Sequence, residues 1–113
     1  MSSAEAAADI CEKLQAAGVR ATTDPQALSP PCVLVPPPAR TYDLNCGYTA
    51  TWRVIALAPA PTGGDRTTWA LLDQLVDTIA GAFAVATADP GAYVLGPTSF
   101  PSYTVTFTEA LDS

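Results

Sequence analysis

The stretch DRTTWALLDQLVDTIAGAF, Asp65–Phe83, decides the fold. Its large apolar residues Trp69, Leu72, Val76, Ile79 and Phe83 recur at steps of three and four. That spacing puts all five on one face of an α-helix. Arg66, Asp73, Gln74 and Asp77 fall on the opposite, water-facing side. Asp65 suits the N-cap, where a carboxylate accepts from free backbone N–H groups and meets the positive end of the helix dipole. A helix with one apolar stripe must lie on something flat and apolar, and the alternating runs on either side of it supply that surface.

A chain of 113 residues is expected to make one domain. With 49% hydrophobic and 14% charged residues it reads as globular, not disordered. No apolar run approaches the ~20 residues of a membrane-spanning helix. Glu5, Asp9 and Glu12, with no early basic residue, do not resemble a secretory signal, so synthesis and folding in the cytoplasm is the expectation. The net charge is −6, with 5 basic residues against 11 acidic ones. Nucleic-acid affinity comes largely from lysine and arginine on phosphate, so this balance disfavours direct DNA binding. Cys11, Cys32 and Cys46 are far apart in sequence and there is no histidine, so zinc-site spacings fail. They read as small apolar residues in a reducing compartment.

Residues 4–17 read as a first helix, with Ala7, Ile10, Cys11, Leu14 and Ala17 on one face, Ser3 as cap and Gly18 as its stop. Val19–Thr22 suits a short strand, and Gln26–Pro31 a loop after Asp24-Pro25. Cys32–Val35 reads as a buried strand held between Pro30-Pro31 and Pro36–Pro38, because proline has no N–H for a ladder. Thr41–Leu44 and Tyr48–Ala58 read as a hairpin around Asn45-Cys46-Gly47. In its second strand Tyr48, Ala50, Trp52, Val54 and Ala56 point one way and Thr49, Thr51 and Arg53 the other. Ile55 and Leu57 break that alternation, so the far end should be covered on both faces. Beyond the main helix, Val85–Thr87 suits either helix tail or strand. Asp89-Pro90-Gly91 reads as a turn, and Ala92–Leu95 with Ser102–Thr108 as a hairpin joined by Gly96–Pro101. The order α-β-β-β-α-β-β predicts an α+β fold: an antiparallel sheet with both helices packed on one face.

No catalytic constellation assembles. The usual base at neutral pH is missing without histidine, and neither a Ser-x-x-Lys pair nor a cysteine–histidine pair can form. Asp73 and Asp77, one helical turn apart, read as a solvated face. Thr62–Thr68 offers a glycine pair before a helix, but the phosphate-loop pattern needs Gly-Lys-Ser/Thr, and Asp65 would sit where the phosphate belongs. No cofactor or metal site is expected. Tyr42, Tyr48, Trp52 and Tyr103 are candidates both for contact surfaces and for packing within the sheet. Arg40 and Arg53 suit pairing with acids of a neighbour or a solvated sheet face.

Several local motifs follow one another in a familiar order. They are Ala17-Gly18-Val19 at the helix end, the proline clamp Pro30–Pro38 around Cys32 and Val33, and the strand ending Ala56-Leu57-Ala58-Pro59. The Gly64-Asp65 loop, Trp69-x-x-Leu72-Asp73 and Pro101-Ser102-Tyr103-x-Val105 come after them. In this order they resemble the small tail terminator proteins of long-tailed, non-contractile bacteriophages of actinobacterial hosts. The resemblance implies a structural virion protein and not an enzyme: a ring of six copies at the head-proximal end of the tail tube. That ring ends tube polymerisation and joins the tail to the head neck. Its implied partners are other copies of itself, the tail tube protein and a head-neck connector or head-completion protein. DNA would pass through the lumen without specific binding. Arg40, Tyr42, Asp43, Tyr48 and Arg53, on the Thr41–Ala58 hairpin and its approach, are the expected subunit or tube contacts. The same features suit a neck connector of the same phages, or a small non-phage α+β binding module.

Overall fold

The computed structural model describes residues 3–24, 26, 31–42, 47–59, 65–83, 87–95 and 97–111. The elements are α1 (Ser3–Ala16), β1 (Ala21–Thr22), β2 (Cys32–Leu34), β3 (Ala39–Tyr42), β4 (Tyr48–Leu57), α2 (Asp65–Ala82), β5 (Thr87–Leu95) and β6 (Thr98–Leu111). This is the expected α+β class, with the short strand after α1 present as β1. The strands form one six-stranded sheet in the order β1-β2-β4-β6-β5, with β3 pairing β4 beside β2. Every pairing is antiparallel except β1 with β2, which is parallel. The sheet is therefore mixed where a purely antiparallel one was expected. The exception arises because the chain crosses back between Thr22 and Cys32, so that Val33 N–H donates to Arg20 C=O and Val35 N–H to Thr22 C=O.

The first helix ends as its sequence dictates. Gly18 takes a φ of +89°, a conformation open to glycine because it lacks a Cβ. Val19 N–H then reaches back to Leu14 C=O and Gly18 N–H to Gln15 C=O. These two bonds satisfy carbonyls the helix leaves over, and Val19 folds against the core. Ala6, Ala7, Ile10, Cys11 and Leu14 are buried beneath α1. Ala17 lies past the helix end and is exposed, so it leaves the predicted stripe.

Both helices cover the sheet face that carries Val33, Trp52, Val54, Val105 and Phe107, which form one core with them. On α2 the buried residues are Leu72, Leu75 and Ile79, with Leu71, Val76 and Phe83 packed at the margins. Trp69, expected in this stripe, is 65% exposed. At 100° per residue, the mean direction of Leu72, Leu75 and Ile79 leaves Trp69 roughly 85° away, at the edge of the face. Leu75 takes the place assigned to it. Phe83 stacks on Phe107 with ring centroids 4.8 Å apart and planes 10° from parallel. The Lys13 ammonium lies 5.7 Å from the same Phe83 ring centre. This sandwich ties the ends of α1 and α2 to β6.

The opposite sheet face has a smaller cluster of Cys32, Leu34 and Leu57, flanked by Ile55, Tyr93 and Phe100. The far end of β4 is covered on both sides, as its broken alternation predicts. Asp89-Pro90-Gly91, expected as a turn, lies inside β5, where Pro90 pairs with Tyr103. An edge strand needs backbone donors on one side only, so proline and glycine are tolerated there. The hairpin is accordingly tighter than expected: β6 starts at Thr98, and the Ser99–Pro101 segment read as loop is strand. Its 14 residues, at about 3.3 Å each, account for most of the 52 Å long axis.

Candidate interface at the β3 edge

The β2–β3 segment runs along one side of β4 with a break at its prolines. Leu34 pairs with Ile55 and Ala39 with Thr51, so the four residues Val35–Pro38 lie opposite the three residues Trp52–Val54. One extra residue is a β-bulge, and prolines fit there because a bulge gives up ladder bonds. Side chains alternate along a strand, so one extra residue exchanges the faces beyond it. Val33 and Val35 point into the helix-side core before the bulge, and Arg40 and Tyr42 take that side after it.

There Tyr42 stands opposite Tyr48, and Arg40 opposite Ala50. The small Ala50 side chain leaves the guanidinium room to reach diagonally to the next aromatic. Arg40 lies over the Tyr48 ring, 4.7 Å from its centre, a cation–π contact. Its Nη1 donates to the Tyr42 hydroxyl at 3.3 Å, and the two tyrosine rings are 5.8 Å apart and tilted by 51°. The hydrogen bond to Tyr42 is the main influence raising the Arg40 pKa above its ordinary value. Tyr48 is buried and forms the floor, while Tyr42 is 70% exposed and all four β3 residues face solvent. A depression of about 500 Å³ opens beside the cluster, with Arg40, Pro37 and Pro38 in its lining.

Of the expected contact residues, the structure brings Arg40, Tyr42 and Tyr48 together. Arg53 is exposed but sits on the other sheet face, three residues from Ala50 along β4, so it does not join them. Asp43 lies outside the described residues, as do Cys46 and residues 61–64 of the glycine loop. Trp52 is fully buried and Tyr103 half-buried against the core, so both pack within the domain. Cys11 and Cys32 are also buried. Among the described residues no group of three histidine, cysteine, aspartate or glutamate side chains is placed to hold a metal ion. Sequence reasoning missed Trp69 as a surface residue and the depression beside Pro37. The first was legible in the angular offset of Trp69 from Leu75 and Ile79; the second depends on the bulge and had no sequence signal. Comparison of the chain with protein-family models, curated proteins and solved structures gives no match.

Proposed function

We propose that the chain is a non-enzymatic structural subunit of a phage tail. Six copies form the ring that ends the tail tube and joins it to the head neck, in the manner of tail terminator proteins. The observation that carries this reading is the β3 edge: an exposed strand presenting an arginine–tyrosine cluster, the residue types enriched at protein contacts. The other sheet edges are poorer templates for a neighbour. β1 is two residues long, and β5 carries Asp89 and Pro90, which discourage strand pairing. Charge placement supports the same reading. Glu5, Asp9 and Glu12 on α1 are exposed, so this helix disfavours phosphate and suits free passage of DNA. No described helix is long and apolar enough to cross a membrane.

The test is to add the purified chain to growing tail tubes and image them. Tubes of arrested length with a ring at one end support the proposal. Tubes that keep growing uncapped overturn it. Binding to the portal side of the neck, and not to the tube end, would reassign the chain as a neck connector.

A further inference from the structure

Two surface features stand apart from the edge cluster itself. Trp69 is 65% exposed on α2, and Asp73 and Asp77, both exposed, follow it at four-residue steps. Residues at that spacing share a helix face, so an indole and two carboxylates form one outward stripe. The second feature is the depression of about 500 Å³ beside β3, walled by Ala4, Ala7, Val35, Pro37 and Pro38, with Thr23 and Arg40 as its polar members.

Resting on the ring reading above, we infer that this depression receives Trp69 of a neighbouring copy of the chain, with that copy's Asp73 set against Arg40. Proline rings and alanine methyls make a flat apolar wall that suits an indole face. Burying such a ring removes about 150–250 Å² from water, the contribution expected of an interface anchor. Charge selects the occupant. The chain carries −6 and five cations in all, so two copies repel except where a cation of one meets an acid of the other. The Trp69–Asp73 stripe offers a carboxylate beside a large apolar group. Socket and plug lie on different elements, α1 with the β2–β3 segment for one and α2 for the other. Each copy both gives and receives, which is a heterologous contact that builds a ring when its rotation closes.

The experiment follows assembly of the full chain from micromolar to millimolar concentration, by sedimentation and by tryptophan emission. The chain has two tryptophans; Trp52 is fully buried, so a concentration-dependent change reports Trp69. The expected result is a blue shift coincident with assembly. Trp69→Ala and Arg40→Glu should each raise the assembly midpoint at least tenfold with an unchanged circular-dichroism spectrum. Arg40→Glu combined with Asp73→Arg should recover most of that loss, which a merely structural role for either residue would not produce. Assembly of the wild type with Trp69 emission still solvent-like overturns the inference and leaves the ring reading standing. Loss on Arg40→Glu but not on Trp69→Ala also overturns it, because another acidic segment then fills the depression. A chain that stays monomeric throughout and fails to cap tubes overturns both.

Discussion

Trp52 offers a sharp test of the core. It is fully buried in the middle of β4, opposite Phe107, and its indole Nε1 has no hydrogen-bond partner. A buried donor without an acceptor costs about 1–3 kcal/mol relative to one that is paired. Trp52→Phe removes that donor together with roughly two ring atoms. Their loss costs about 1.6 kcal/mol at the usual ~0.8 kcal/mol per buried carbon group. The two effects oppose each other, so the net change should fall within about 1.5 kcal/mol of zero. For a chain of this size that is within about 6 °C in Tm. Leu14→Ala, which empties an equally buried site without relieving any polar group, should cost about 2–5 kcal/mol. Urea denaturation of both variants and the wild type at low protein concentration measures the difference. A loss above 3 kcal/mol for Trp52→Phe would refute the reasoning, since it would mean that the N–H is satisfied in the folded protein.

Gly18→Ala should destabilise by about 1–2 kcal/mol, the cost of holding a Cβ-bearing residue in the left-handed region. Nothing lies within 4 Å of the added Cβ, so the whole effect is backbone strain, and a matching loss in thermal unfolding with an unchanged spectrum checks it. Burial pushes the Cys11 thiol above its ordinary value of 9.0. The unfolded thiol therefore ionises first as pH rises: stability is fully present below pH 9.0 and is lost as pH climbs through the raised value. Urea midpoints compared between pH 7 and 10 should show part of this decline disappearing in Cys11→Ala; an identical pH slope in the variant would count against it.

Much of the architecture was legible because local chemistry and tertiary demand agree. The α1 stripe and its Gly18 stop, the apolar run at Cys32–Val35 and the alternation of Tyr48–Ala56 each point to the element that forms. Failures came where one residue type serves two contexts. Asp89-Pro90-Gly91 has turn chemistry, but at a sheet edge the same residues extend a strand, because one side of it needs no partner. Trp69 fits a helical period, but its size suggested burial that its angle does not permit. The edge cluster was half legible. Arg40, Tyr42 and Tyr48 stood out as scarce charge and strand aromatics, and Arg53 stood out for the same reason. What separates them is the sheet face, which depends on register.

That register changes across the proline-bearing segment Val35–Pro38. If Val35–Pro38 matched β4 residue for residue, the pairing seen in β2 would continue, and Arg40 and Tyr42 would emerge on the face of Thr51 and Arg53. The extra residue turns them to the other side. There Ala50 leaves space, Tyr48 supplies a ring for the guanidinium, and α1 closes the neighbouring depression. One extra residue in the proline-bearing segment thus decides which face carries the cation. The α2 helix, whose stripe organises the core, has a second role through the residue that left the stripe. By turning Trp69 outward with Asp73 and Asp77, it presents the chemistry that the proline-walled depression lacks. The core and the proposed contact are therefore two faces of one helix, with Trp69 roughly 85° and Asp73 roughly 125° from the core direction.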